Sequence, residues 1–429
     1  MKRWRTEAVA HAQRGLAFAL LLAWCAAWPL VGNAESRTPA RDFVASKLDR
    51  VGNYVRDEVA TGRIPGAVVL IQQHGKPVYT QSFGARDVAT GVPMSVDTIF
   101  RLYSMSKPIT SVAAMMLVDD GKLALDDPLS KFIPAFADVK VGVERTDAAD
   151  KPALRLEPAQ RPITIEDLLR HTSGITYGFY GDSPVHKRYA ASDLFDGDVD
   201  NATFVARLAK LPLAEHPGTR WDYGHSTDVL GRVIEIVSGT SLHAFEKERL
   251  LDPLGMTETA FYLADTTQRS RVAEPLPKDR FSRPIAGLSD PVLPKRWESG
   301  GAGMIGTIGD YARFAQMLLN GGTLQGRRYL KPATVALMIS DHIGPSTNIV
   351  RDAMYFPGPD SGFGLGFAVR GVAEPPFTVG EYRWDGVGGT SFFIDPGDGM
   401  FAIVMMQSPS QRGRIETELR RIIYEALER

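Results

Sequence analysis

The chain has 429 residues, 44% of them hydrophobic and 23% charged, which suits an ordinary globular protein of one large or two to three smaller domains. A formal net charge of −1, with no block of like charge, argues against a nucleic-acid footprint or a polybasic membrane patch. The single cysteine, Cys25, excludes an intrachain disulfide and a cysteine-built metal site.

The first segment reads as an export signal. Lys2, Arg3, Arg5 and Arg14 precede the apolar run GLAFALLLAWCAAWPLV, and the small residues Gly32 and Ala34 follow it. A signal peptide over residues 1–34 is expected, giving an exported, periplasmic or secreted protein without stable membrane insertion. The apolar run is near the lower length limit for an anchor, and its small-residue end favours cleavage. Bulky Trp24 argues against lipid attachment at Cys25.

Residues 42–61 read as a helix. In GAVVLIQQHGKPVYTQSFGARD, two β-rich runs flank His74-Gly75, which predicts a hairpin. The next segment, FRLYSMSKPITSVAAMMLVDDG, places Ser104 and Lys107 three apart at the start of a helix expected to run to Gly121. Its body, ITSVAAMMLV, is apolar nearly all round and so buried. Helix signals recur in TIEDLLRH, ATFVARLAKL, STDVLGRVIEIVSG and SLHAFEKERLL. A second hairpin is predicted in TSFFIDPGDGMFAIVMMQS, around residues 396–399. A last amphipathic helix follows, carrying Ile415, Leu419, Ile422, Ile423 and Leu427.

This order predicts an α+β fold with a discontinuous α/β sheet domain (35–99 and 302–429) and a mainly helical domain (100–301). A site is expected in the cleft between them. On a helix, Lys107 stands one turn from Ser104 on the same side. A serine hydroxyl becomes nucleophilic when a nearby base takes its proton, and a desolvated amine can be that base. The same pattern also fits a serine capping a buried helix beside a solvated lysine. The tetrad alone does not separate the two readings.

The neighbouring segments do. SMSKPIT (104–110), ITIEDLLRHTSG (163–174), PGTRWDYGHSTDVLGRVIEIVSG (217–239), DPLGMTETAF (252–261), ESGGAGMIGTIGDYARFAQMLLNGG (298–322) and WDGVGGTSFFIDP (384–396) resemble, in the same order, the serine β-lactamase and penicillin-binding-protein superfamily. The likeness is to its class C β-lactamase-like branch, and within it to the family VIII carboxylesterases. It implies a sheet covered by terminal helices beside a helical region, and an acyl-enzyme on Ser104 with Lys107 and Tyr223 as catalytic partners. It also places the backbone N–H groups of Ser104 and Val387 in an oxyanion hole.

Two departures from the family pattern bear on substrate. The Tyr-x-Asn motif falls on Tyr223-Gly224-His225, so His225 is a candidate for substrate contact or the proton relay. The Lys-Thr-Gly motif falls on Trp384-Asp385-Gly386, where Trp384 offers an apolar face and one N–H in place of a carboxylate-binding cation. Gly386 is expected to let substrate lie close to the strand. Arg383, adjacent on the strand, should face away from Trp384. Tyr223, if it is the base, needs its pKa lowered by the lysine cation.

These residues predict a serine hydrolase, a carboxylesterase for small or short-chain esters, with a small-molecule ester as its partner and no cofactor or metal. The alternatives are a β-lactamase or D-alanyl-D-alanine carboxypeptidase, and a non-catalytic cell-wall or β-lactam-binding protein. His171 is expected to shape a loop. GAGMIG (301–306) satisfies G-x-G-x-x-G but has no preceding βαβ strand, so a turn is expected there. The histidines show no metal-ligand spacing, and there is no G-x-S-x-G nucleophile elbow.

Overall fold

The strand-forming runs at the two ends of the sequence meet in one sheet. The computed structural model describes residues 40–146, 152–279, 290–351 and 355–428, and the expected signal over 1–34 lies outside the described residues. The first helix, α1 (Ala45–Ala60), leads into strands β1 (Gly66–Gln73), β2 (Lys76–Asp87) and β3 (Val92–Pro93). The β1–β2 turn is His74-Gly75, with φ of 51° and 74°. Two consecutive left-handed residues twist with the strands, which is why this pair closes a two-residue hairpin.

Far along the chain come β4 (Ser361–Phe363), β5 (Ala368–Arg370), β6 (Tyr382–Asp385), β7 (Ser391–Asp395) and β8 (Met400–Met406). The eight strands lie in the order β4-β5-β6-β7-β8-β1-β2-β3, all antiparallel. Pairing of β8 with β1, from Ala67 opposite Met406 to Gln73 opposite Met400, joins the two ends.

Alternation along β8 covers both faces. Phe401, Ile403 and Met405 join a core shared with the central helices, while Met400, Ala402, Val404 and Met406 share a second core with α1 and the final helix, Arg412–Glu425. That final helix contributes Ile415, Leu419, Ile422 and Ile423, and α1 contributes Leu48, Val51 and Val55. Because the sheet and central helices share one core, residues 40–429 form one compact unit. The boundaries expected at 99/100 and 301/302 do not separate two cores.

The serine-bearing segment begins as a short strand, Phe100–Arg101, paired with Ile305–Gly306. A 3₁₀ turn, Tyr103–Met105, then precedes α2 (Ser106–Asp119), which is buried from Ser106 to Leu117. Helix α3 (Ile165–Leu169) starts on a Thr164/Asp167 capping box, and α4 (Ser226–Ser238) follows the Tyr-Gly-His segment. A hairpin of Lys140–Thr146 with Pro152–Pro158 was not expected from the sequence. Among the described residues, no helix is long and apolar enough to cross a membrane.

Candidate active site

Ser104 is held at a cavity of about 360 Å³ by the turn before α2. Tyr103 has φ 46°, a left-handed conformation costly for a bulky residue. It swings the chain from strand to helix and leaves Ser104 half-buried on the cavity wall. Two bonds fasten the bend: the Tyr311 hydroxyl donates to the Met105 carbonyl at 3.1 Å, and the Met304 N–H to Ser106 Oγ at 3.1 Å.

Lys107 is 1% exposed. Its Nζ lies 2.8 Å from the Gly301 carbonyl oxygen, 3.1 Å from the Tyr177 hydroxyl and 3.4 Å from Ser104 Oγ. It also stands 4.5 Å from the centre of the Tyr223 ring. Burial pulls the amine down to about 7, while Asp228 and Asp385 hold it up. The neutral amine then has two N–H bonds for Gly301 and Tyr177, and a lone pair left for the Ser104 hydroxyl.

Tyr223 is buried beside them, 6% exposed. Burial pushes its phenol well above the usual range. The nearby Ser104 hydroxyl and Trp384 indole oppose that rise, though the Tyr223 oxygen has no hydrogen bond of ordinary geometry. The lowering expected if Tyr223 is the base is therefore corrected: desolvation dominates, and the lysine beside it carries only part of a charge near neutrality. Tyr223 is a neutral phenol at rest.

Trp384 leaves β6 into the same aromatic group, with its ring 5.5 Å from Tyr223, 5.6 Å from Phe356 and 5.2 Å from Phe363. It lines the cavity and, among the described residues, its Nε1 has no hydrogen-bond partner of ordinary geometry. Arg383 takes the opposite sheet face from Trp384, as strand alternation requires, yet it lines the cavity as well. Its pairing with Ala368 is the last on the β5 side of β6, so beyond it the cavity meets residues of both faces.

Val387 lines the cavity with Ser104. Gly386, expected to let substrate lie close, is not itself among the residues lining the cavity, and packing alone calls for a glycine there. A Cβ there would stand 2.2 Å from the Leu102 carbonyl oxygen and 2.5 Å from Thr390 Oγ1, so the glycine admits the strand leading to Ser104. His225 is also corrected. It is buried outside the cavity lining, its ring 4.4 Å from Tyr177 and 5.1 Å from Phe204.

The role of His225 is indirect. Its Nδ1 is 2.9 Å from Asp228 Oδ2, and Asp228 Oδ1 accepts from Ser299 Oγ at 2.5 Å and the Gly301 N–H at 3.1 Å. Burial raises the Asp228 carboxyl, but hydrogen bonding and charge from His225, with Lys107 and Ser299, leave it lowered and ionised. Through Gly301, this buried carboxylate positions the carbonyl that receives the Lys107 N–H. GAGMIG is thus a turn and short strand at the lysine. His171 lies in a loop with φ 58°, its ring 4.8 Å from Tyr223.

Sequence reasoning missed Tyr177, Tyr180, Phe356 and Asp228. The run Tyr177, Phe179, Tyr180 directly after His-Thr-Ser-Gly was the available signal for the first two. Asp228 and Phe356 carried none, since a helix acid and a loop aromatic look alike wherever they fold. Among the described residues, no three His, Cys, Asp or Glu side chains group as metal ligands.

Comparison with known proteins agrees with this geometry. Protein Rv1367c of Mycobacterium tuberculosis is 37% identical over 82% of this chain and 88% of its own length. Esterase EstB of Burkholderia gladioli is 31% identical over 89% of this chain and 95% of its own. The solved structure of EstCE1, described as a hydrolase with promiscuous acyltransferase activity, superposes with a TM-score of 0.73 at 29% identity, covering 89% of this chain and 99% of that one. The β-lactamase family model matches residues 51–425, and the chain belongs to the β-lactamase family.

Proposed function

We propose that this protein is a serine hydrolase of the carboxylesterase type, cleaving small or short-chain esters through an acyl-enzyme on Ser104. The carrying observation is the buried Lys107 amine, held near neutrality in its pKa, with its lone pair free only toward Ser104. Lys107 takes the hydroxyl proton as Oγ bonds to the ester carbonyl carbon. The backbone N–H groups of Ser104 and Val387 hold the oxyanion. Tyr223, a neutral phenol beside both groups, passes the proton from Lys107 to the leaving alcohol. Water then repeats the sequence in reverse and releases the acid.

The aromatic wall of Tyr180, Tyr223, Phe356 and Trp384 favours an ester over a β-lactam, because the indole offers no charge to a carboxylate at the position where the family pattern has lysine, and the cavity's arginines, Arg383, Arg412 and Arg420, stand at its other end. Similarity to EstB and EstCE1 supports the same choice. The test pairs p-nitrophenyl butyrate with a chromogenic cephalosporin and labels the protein with a fluorophosphonate. Adduct formation at Ser104 and preferred turnover of the butyrate are expected. A cephalosporin rate about a hundredfold above that of the ester, some 2.7 kcal/mol in transition-state binding, overturns the reading. Export is proposed from the residue 1–34 signal; N-terminal sequencing of protein from the periplasm or medium should begin near Glu35.

A further inference from the structure

The cavity has a second end, unlike its aromatic one. There β6 and the final helix, α5 (Arg412–Glu425), bring Arg383, Arg412, Glu416 and Arg420 to the wall. Behind them, one carboxylate oxygen serves three guanidinium groups. Oε1 of the fully buried Glu381 lies 3.1 Å from Arg420 Nη1, 3.5 Å from Arg383 Nη1 and 3.8 Å from Arg370 Nε.

These arginines are under-neutralised. Arg383 is 9% exposed, donates Nη2 to the Pro357 carbonyl at 2.7 Å and, among the described residues, has no hydrogen-bond partner on Nη1. Among the described residues, Arg420 Nε and Arg370 Nη1 likewise lack a hydrogen-bond acceptor, although Glu374 Oε2, 3.7 Å from Arg370 Nη1, balances that guanidinium in part. Burial, then the Arg420 charge, pulls the Arg383 pKa down. Guanidinium stays charged in proteins, so the remaining positive charge calls for an anion. Arg412 differs: its Nε is 3.7 Å from Asp385, which balances it locally.

Glu416 is the group at hand, yet it makes no hydrogen bond or ion pair to any described residue. It faces Asp385, Arg383 and Glu381 from the β6 segment, and Arg420 from its own helix. We propose that this end of the cavity is an anion subsite, in which Arg383 and Arg420 bind a carboxylate on the remote end of the ester and Glu416 is the counter-ion this carboxylate replaces. The proposal rests on the esterase reading and names a substrate class within it: esters with a second, ionised end.

Burial and Asp385 raise Glu416 to about 7, opposed by Arg420 and Arg383. Below that pH its charge is lost, the subsite becomes more positive, and anion binding strengthens. The substrate carboxylate stays ionised down to about pH 4–5.

The test uses three esters: neutral p-nitrophenyl butyrate, mono-p-nitrophenyl glutarate with the charge on the acyl side, and 4-(butanoyloxy)benzoate with it on the alcohol side. The kcat/KM of each anionic ester is divided by that of the butyrate, which cancels the Lys107 titration common to all. For at least one anionic ester, this ratio should rise about tenfold as pH falls from about 8.5 to 5.5. The responding ester identifies which side of the substrate occupies the subsite. Glu416→Gln should fix the ratio at its low-pH value, and Arg420→Gln should lower it about tenfold, through KM.

Flat ratios for both anionic esters, equal in wild type and both variants, overturn the subsite. Calorimetric binding of monomethyl glutarate keeps the two readings apart. pH-dependent binding that Arg420→Gln weakens, without turnover of any ester, would keep the subsite and overturn the esterase reading.

Discussion

In the proposed mechanism, Lys107 is the residue on which the chemistry turns. In water its amine is almost wholly protonated at neutral pH, whereas burial brings it to about 7 here. With Lys107 as the proposed base, the active species is the deprotonated amine, so kcat/KM for a neutral ester should rise with pH and reach half its plateau near 7. Glu416 titrates in the same range, and a Glu416→Gln profile that keeps this rise for the butyrate would assign it to Lys107. Asp228 raises the lysine pKa by its charge. Asp228→Asn should therefore move the midpoint to lower pH and also reduce the plateau, because Gly301 loses its anchor. A midpoint that stays or moves up contradicts the coupling. Tyr223→Phe tests the proton relay: removing a general acid–base group typically costs about 10²–10⁴ in rate, and the loss should fall on kcat with KM little changed.

At the scale of elements, the site depends on how closely β6 approaches the segment before α2. Gly386 makes that contact possible, because the place of its missing Cβ is taken by the Leu102 carbonyl and the Thr390 hydroxyl. Thr390 Oγ1 in turn donates to that carbonyl at 3.1 Å. Gly386→Ala must push two backbone segments apart, and so should lower both the melting temperature and kcat, with Ser104 and Val387 no longer set to one oxyanion. Fluorophosphonate labelling should slow in parallel; unchanged labelling means the contact does not position the serine. The sequence made the principal elements legible where local chemistry specifies them. His74-Gly75 and the 396–399 turn mark hairpins, and the apolar body of α2 marks a buried helix. The Lys140–Thr146 hairpin escaped because its partly exposed strands lack a long β-rich run. The candidate site was legible where residue type and spacing carry chemistry, as at Ser104 and Lys107, and through the family resemblance at Tyr223, which the fold brings beside them. It was not where function arises from distant partners: Tyr177 meets Lys107 across 70 positions, and the arginines around Glu381 are ordinary surface residues until α5 packs on β6.

For the whole molecule, the sheet closes only when the two chain ends meet, and α1 and α5 cover the face that this pairing creates. Glu58 of α1 ties them together. Its side chain, 3% exposed, accepts from Arg63 Nε at 2.7 Å and from Arg414 Nη1 of α5 at 2.9 Å. Hydrogen bonding to Arg414 holds the carboxyl down to about 2, with Arg63 adding to it against the cost of burial. A carboxyl lowered in the folded state stabilises the fold above its unfolded pKa near 4.5, and this contribution disappears as pH falls through about 2. Both guanidinium groups are nearly half exposed, so solvent screening reduces the effect to about 1–2 kcal/mol, or a few degrees in Tm. Glu58→Gln should lower Tm by that amount at neutral pH, and the gap from wild type should close between about pH 4.5 and 2. Butyrate turnover at 25 °C should stay within about twofold, since Glu58 lies on the sheet face away from Ser104. A gap that persists unchanged to pH 2 would assign the loss to packing, leaving the ion pair without a part in joining the two ends.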